Sequence, residues 1–203
     1  MRVLVACEFS GVVRDAFRKR GHDAWSCDLL PCEADQTWHL LGDVRRFLDV
    51  SPDDRTWDLM IAHPPCTHLA VSGARWFKDK LDEQEAALNF VRELMGAPIP
   101  RIALENPVSI ISSRIRKPDQ TIQPWQFGHG ETKATCLWLK NLPPLIPTHK
   151  SGDLFAVEEP GERVARVHLE PPGPDRWKNR SRTYSGIADA MADQWGSYAK
   201  AAA

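Results

Sequence analysis

The sequence lacks most of the features that would place a chain at a glance. No apolar run is long enough to cross a membrane, and no basic, apolar leader ending in small residues opens it. The reading is therefore a cytoplasmic protein with no membrane partner. No CxxC pair occurs. The five cysteines, Cys7, Cys27, Cys32, Cys66 and Cys136, are odd in number and irregular in spacing. That argues against a disulfide framework and for a reducing compartment. Cys27, Cys32 and His39 match no standard zinc spacing, and no metal is expected. An excess of charge is missing too. With 26 basic and 27 acidic residues the net charge is −1, so any contact with nucleic acid must come from a local patch.

What is present fits one domain with a substantial core: 203 residues, 42% hydrophobic and 26% charged. The 16 prolines gather after Gly96, around 143–147 and at 171–174, which makes the second half rich in loops.

The chain is organised around Asp58 to Leu69 (DLMIAHPPCTHL). Asp58–Ala62 is a short apolar run of the kind that forms a buried parallel strand. It stops at His63, because Pro64 and Pro65 fix φ and remove two backbone donors. Cys66 follows directly, just past the carboxyl end of a strand, where open α/β sheets place their ligands. A lone cysteine is ordinarily a small buried hydrophobe. Two rigid prolines that aim this one out of a strand end favour a nucleophile.

Upstream, Arg2–Ala6 reads as a central strand. Phe9, Ser10 and Gly11 form a turn, and Val12–Arg20 a helix with Val13 and Phe17 at helical spacing and Gly21 as its stop. Strand, glycine turn and helix open a nucleotide-binding βαβ unit, although the same turn joins strand to helix in many proteins with no ligand there. Residues 22–27 read as the next strand with Asp28 at its end, near the spacing at which an acid meets a ribose. Asp43 follows another glycine and could meet an adenine edge; for either acid a solvated turn is the plainer alternative.

Thr67 to Lys80 reads as a mobile loop over the site. Glu83–Met95 is a helix whose stripe of Ala86, Ala87, Phe90, Val91 and Leu94 faces the core. Arg101–Leu104 is a further buried strand ending in Glu105, Asn106 and Pro107, and a helix over 109–114 follows. A carboxylate beside Cys66 in a dry pocket would have a raised pKa and could donate a proton; a surface glutamate is the alternative. Arg176, Lys178, Arg180 and Arg182, interleaved with Trp177, suit phosphates and stacking, or form a solvated loop.

HPPC followed by LENP, behind a strand–FSG–helix opening, resembles the DNA cytosine-5 methyltransferases, in particular their small standalone phage and prophage members. The resemblance covers most of the chain in the family's order. It implies a Rossmann-like α/β methyltransferase fold, with a mostly parallel sheet, helices on both faces and a reduced target-recognition region. It also implies S-adenosyl-L-methionine as cofactor and DNA as partner. By position, Phe9, Ser10, Gly11, Asp28, Asp43 and Pro64 fall to the cofactor. Pro65 and Cys66 carry the nucleophile motif and Glu105 with Asn106 the acid motif. Lys133 and Thr135 stand where a Gln-x-Arg-x-Arg segment has its arginines, and residues 184–195 match the terminal helix. The chain departs from the family at Val13, where a second glycine is usual, at Asp28, where glutamate is usual, and in the short stretch 144–182.

The expected plan is a single catalytic domain over 1–203. It comprises a cofactor half (about 1–60), a catalytic half (about 58–145), a loop-rich insert (about 144–182) and a closing helix (about 184–198). Three other readings stay open: methylation of a free pyrimidine nucleotide, a non-catalytic nucleic-acid binder on the same fold, and a cysteine hydrolase using His63 or His68. On this reading duplex and single-stranded DNA both stay open as the partner.

Overall fold

The computed structural model describes residues 1–49, 53, 55–73, 79–149 and 163–201. Among them, seven strands form one sheet: β1 (Arg2–Ala6), β2 (Asp23–Asp28), β3 (His39–Leu41), β4 (Leu59–Ala62), β5 (Ile102–Pro107), β6 (Gln120–Ile122) and β7 (Thr135–Lys140). The strand order is β3-β2-β1-β4-β5-β7-β6. Neighbours pair in parallel except β7, which runs antiparallel to both β5 and β6. The helices are α1 (Val12–Lys19), α2 (Leu81–Gly96), α3 (Ile111–Arg114), α4 (Arg166–Leu169), α5 (Arg176–Ser181) and α6 (Ser185–Ala201). This is the Rossmann-like, mostly parallel architecture expected from the sequence. From β1 the chain winds one way through β2 and β3, then returns to β4 and winds the other way. The crevice at that reversal is where open α/β sheets bind ligands.

Strand alternation sorts the core into two layers. Val3, Val5, Leu59 and Ile61 face α1 and α6, where they meet Val13, Phe17, Met191 and Trp195. Leu4, Ala6, Met60 and Leu104 face α2, where they meet Leu88, Val91 and Leu94. Each fully buried aliphatic side chain contributes roughly 1.5–3 kcal/mol, so both faces are covered and the central strands stay dry. The closing helix α6 packs beside α1 and is pinned along its length. Arg20 pairs with Asp189 at 2.8 Å, and the buried Trp195 donates to the Pro143 carbonyl at 2.9 Å. Its start lies so close to the neighbouring chain that a Cβ on Gly186 would sit 1.9 Å from the Phe127 carbonyl oxygen. Only glycine fits there.

Four expectations change. On α2 the buried residues are Gln84, Leu88, Val91 and Leu94, while Ala86 is exposed; the core face is rotated from the expected stripe because Leu88 outweighs two alanines in apolar area. Strand β5 does not stop before Glu105. It carries Glu105, Asn106 and Pro107 in register with Leu137, Cys136 and Thr135, since an antiparallel neighbour extends the ladder to a terminal proline that needs no donor. The first part of the expected loop over the site is tied down: Val71 N donates to Val108 O at 3.1 Å, and Ile110 N to Leu69 O at 2.9 Å. Its remainder includes residues 74–78, outside the described residues. Finally, the basic segment is the short helix α5 rather than a loop.

Candidate active site

The chain leaves β4 at His63, whose N–H still bonds the Ala6 carbonyl at 2.9 Å. The two prolines then turn it out of the sheet. Pro64 is buried, while Pro65 and Cys66 are exposed. The Cys66 carbonyl accepts from Leu69 N and Ala70 N at 3.0 and 2.9 Å, which folds the following residues into a turn. From the adjacent strand, the buried Asn106 donates Nδ2–H to the Pro64 carbonyl at 2.9 Å. The Pro-Cys loop and the Glu-Asn strand end are therefore one hydrogen-bonded unit.

Glu105 lies on the same rim. Its Oε2 is 2.9 Å from His63 Nδ1, with the two side chains only 13% and 10% exposed. A raised carboxyl pKa was the expectation here, and the structure corrects it. Burial pushes Glu105 up, but the hydrogen bond and charge of His63, aided by Lys133, outweigh it and hold the carboxyl below its ordinary range. The Cys66 thiol is pushed up, first by desolvation and then by the Glu105 charge, with Lys133 and Arg180 pulling the other way. Lys133 and Thr135 reach the site from the start of β7. Lys133 Nζ donates to the Arg180 carbonyl at 3.0 Å, and the buried Thr135 hydroxyl donates to the Lys133 carbonyl at 3.2 Å. Glu105, Lys133, Thr135, Thr183, Tyr184 and Ile187 line a small hollow. Thr183 and Tyr184 had no signal in the sequence that tied them to the site.

Across the crevice, the glycine turn is built around a residue that pattern reading overlooked. Glu8, 4% exposed, accepts from Val13 N at 2.6 Å and Arg14 N at 3.2 Å, so it satisfies the first turn of α1 from within the chain. Ser10 lies beside it at 3.4 Å. Gly11 has φ 75°, and a Cβ there would meet Arg14 Nη2 at 2.7 Å, so the turn requires glycine. Val13 faces the core and takes nothing from the crevice.

Asp28, at the end of β2, uses Oδ1 to accept Leu30 N at 2.9 Å, and desolvation raises its pKa. Asp43 is more fully engaged. It accepts Arg45 N at 3.0 Å and pairs with the Arg45 guanidinium at 3.1 Å, and the backbone bond in particular holds it below the usual range. Cys7 adopts φ 59° at the end of β1, and desolvation with the nearby Asp28 charge drives its thiol upward. Pattern reading had no handle on that residue.

The four cations of the basic segment divide. Arg182 forms a bidentate pair with Glu33 at 2.8–3.0 Å, and Arg176 Nε donates to the Glu170 carbonyl at 2.7 Å. Lys178 and Arg180 have no ion-pair partner among the described residues. Trp177 packs on Phe9 with ring centroids 5.7 Å apart, so α5 lies against the glycine turn itself.

Neither His63 nor His68 is hydrogen-bonded to Cys66 among the described residues; His63 Nδ1 is taken by Glu105. The Cys66–His hydrolase pairing therefore has no support. Cys27 is buried, Cys32 contacts Arg14 at 3.4 Å, and His39 bonds Ser26 and the Leu30 carbonyl. Those three residues do not converge. No set of three metal-ligating side chains occurs among the described residues, and none of the described helices is long and apolar enough to cross a membrane.

The chain matches no protein-family model, and no curated protein is similar enough to be matched. Among solved structures it is similar to the crystal structure of a candidate DNA modification methyltransferase encoded within an E. coli prophage. The two share 15% identity and a TM-score of 0.44, over 68% of this chain and 46% of that one. The chain thus spans less than half the length of that neighbour.

Proposed function

We propose that the protein transfers a methyl group from S-adenosyl-L-methionine to carbon 5 of cytosine in DNA, through a covalent bond from Cys66 to carbon 6. The observation that carries this reading is the pairing of Cys66 with Glu105. Cys66 and Glu105 stand at the ends of the adjacent strands β4 and β5, and Asn106, next to Glu105, donates to the Pro64 carbonyl two residues before Cys66 at 2.9 Å.

Carbon 5 of cytosine is a weak nucleophile. The Cys66 thiolate adds its electron pair to carbon 6 while Glu105 presents a proton to ring N3, and the base becomes an enamine nucleophilic at carbon 5. After substitution there, water takes the carbon 5 proton, the electron pair of that bond restores the ring, and Cys66 leaves as the thiolate. Dividing the reaction this way replaces one hard step by easier ones. The raised Cys66 pKa makes the thiolate scarce in the free protein but strongly nucleophilic once formed. Lys133 and Arg180 supply the positive charge that favours it. A base inside a duplex must first be flipped out, which costs a few kcal/mol.

The residues of the other half fit the cofactor. Asp28, held by the Leu30 backbone N–H at 2.9 Å, stands at the strand end suited to a ribose diol, with Phe9 and Ser10 in the turn after the neighbouring strand. Bound there, S-adenosyl-L-methionine supplies an electrophilic methyl sulfonium. Lys178 and Arg180 are the cations available to DNA phosphates.

DNA carrying 5-fluorocytosine tests the reading, because fluorine cannot leave as the carbon 5 proton does. A complex stable to denaturant should form only with S-adenosyl-L-methionine present and should vanish in Cys66→Ala. Capture on a fluorinated free nucleotide but not on DNA would move the substrate to the nucleotide. Capture on neither, with cofactor and DNA both bound, would refute the role given to Cys66.

A further inference from the structure

The site contains a buried nitrogen with no partner. His63 Nε2 is enclosed and unpaired among the described residues, although its ring is held from the other side by Glu105. The imidazole comes from the end of β4 and Glu105 from β5. A second carboxylate, Glu8, follows β1 and feels the charge of His63. The imidazole thus stands at the end of β4, between β1 and β5, and is hydrogen-bonded to the carboxyl on the β5 side. A buried carboxylate with no partner beside it is strongly disfavoured, and His63 is the side chain hydrogen-bonded to Glu105. In the bond to Oε2, Nδ1–H also fixes the plane of the Glu105 carboxyl and leaves Oε1 without a partner among the described residues.

We propose that His63 is a positioning residue for Glu105: its imidazole orients the carboxyl and stores the proton that the site delivers to the substrate base. The proposal rests on the cytosine reading above. When Cys66 adds to carbon 6, the proton passes from Nδ1 to Glu105 and from Glu105 to ring N3. The imidazole ends neutral, the carboxylate ends ionised as it began, and the base has gained one proton and one carbon–sulfur bond. Expulsion of Cys66 returns the proton by the same path. His63 also explains why a carboxyl required to deliver a proton can be ionised in the free protein. The charges that bear on the pair are Glu8, Lys133 and Cys66, with Cys136 behind Glu105 on β7 and Arg180 beside Cys66.

The test follows the rate of covalent capture on 5-fluorocytosine DNA against pH, in the wild type, His63→Asn and His63→Gln. Both substitutions should slow capture at neutral pH tenfold or more. Both should also displace the alkaline limit of capture, because the proton that sets it then sits on Glu105 and no longer on the His63–Glu105 pair. A slower rate with an unmoved limit would make His63 merely structural and overturn the proposal. An infrared measurement decides the point without catalysis. Subtracting the Glu105→Gln spectrum at neutral pH should reveal no protonated carboxyl band for Glu105 in the wild type, and such a band in either His63 variant. The band in the wild type would overturn the proposal, even if neither variant folds. Failure of the wild type to capture DNA would count against the methyl-transfer reading, and the infrared result would still decide His63.

Discussion

Replacing Asn106 by aspartate changes one NH2 for one oxygen, and the surroundings turn that small change into a large effect. Asn106 is 1% exposed and its Nδ2 lies 2.9 Å from the Pro64 carbonyl oxygen. An ionised carboxyl there would set oxygen against oxygen, next to the Glu105 charge and away from water. A fully buried carboxyl titrates some 3–5 pH units above an exposed one, and each such unit is worth about 1.4 kcal/mol. Taking three gives a penalty of about 4 kcal/mol at neutral pH. For a chain of this size that is roughly 8–16 °C in Tm, at about 2–4 °C per kcal/mol.

The pH dependence has a definite sign. The folded-state pKa of the new carboxyl is raised, so the stability of Asn106→Asp is fully present below the unfolded value near pH 4 and lost as pH rises through the folded one. At low pH the neutral acid donates O–H to Pro64 and replaces the lost amide bond. Asn106→Ala has no such group. It should cost about 1–3 kcal/mol, from the unpaired carbonyl, at every pH. Thermal melting of the wild type and both variants between pH 5 and 8 measures all of this. A deficit for Asn106→Asp that is the same at both ends of the range would refute the reasoning, as would one equal to that of Asn106→Ala throughout. In either variant the Pro-Cys loop loses its tie, and a displacement of about 1 Å at the nucleophile can cost on the order of a hundredfold in rate, measurable as slower fluorocytosine capture.

Glu105→Gln removes a negative charge from beside Cys66, so the cysteine should alkylate with iodoacetamide at lower pH than in the wild type; an unchanged or higher pH would contradict the coupling. S-adenosylhomocysteine should bind saturably in calorimetry and more weakly to Asp28→Ala, and equal affinity would remove Asp28 from the cofactor site. Replacing Lys178 and Arg180 by alanine should flatten the salt dependence of DNA binding by a slope of about two, at roughly 0.9 per phosphate contact. Arg182→Ala should instead lower Tm slightly through loss of the half-exposed Glu33 pair. An unchanged slope in the double variant would take α5 off the DNA.

Most of the sheet was legible because its central strands are continuous β-branched or aliphatic runs that end at prolines and glycines. The order of reactive residues along the chain then placed Cys66 and Glu105 on one rim. Residues whose role depends on a distant partner were not legible. Glu8 reads as one acid in a turn until the first N–H groups of α1 fold onto it, and His63 reads as a proline-flanked strand end until β5 brings Glu105 alongside. Strand β6 is three residues with one buried side chain, too short for any period to register. The split among the four cations of 176–182 was invisible for the same reason, since Glu33 is 149 positions from Arg182.

Those long-range partners give α5 a meaning beyond charge. Trp177 lies on Phe9 of the glycine turn, Arg182 is anchored to Glu33 beyond β2, and the Arg180 carbonyl receives Lys133 from the segment before β7. The helix thus touches the Phe9–Gly11 turn at one end and the Cys66 rim at the other. Lys178 and Arg180, without an ion-pair partner among the described residues, stand on an element that spans both halves of the crevice. Phosphates held by Lys178 and Arg180 would rest on the same helix that closes over Phe9. Nucleic acid and cofactor should therefore favour one another's binding, each gaining from the order that the other imposes on α5.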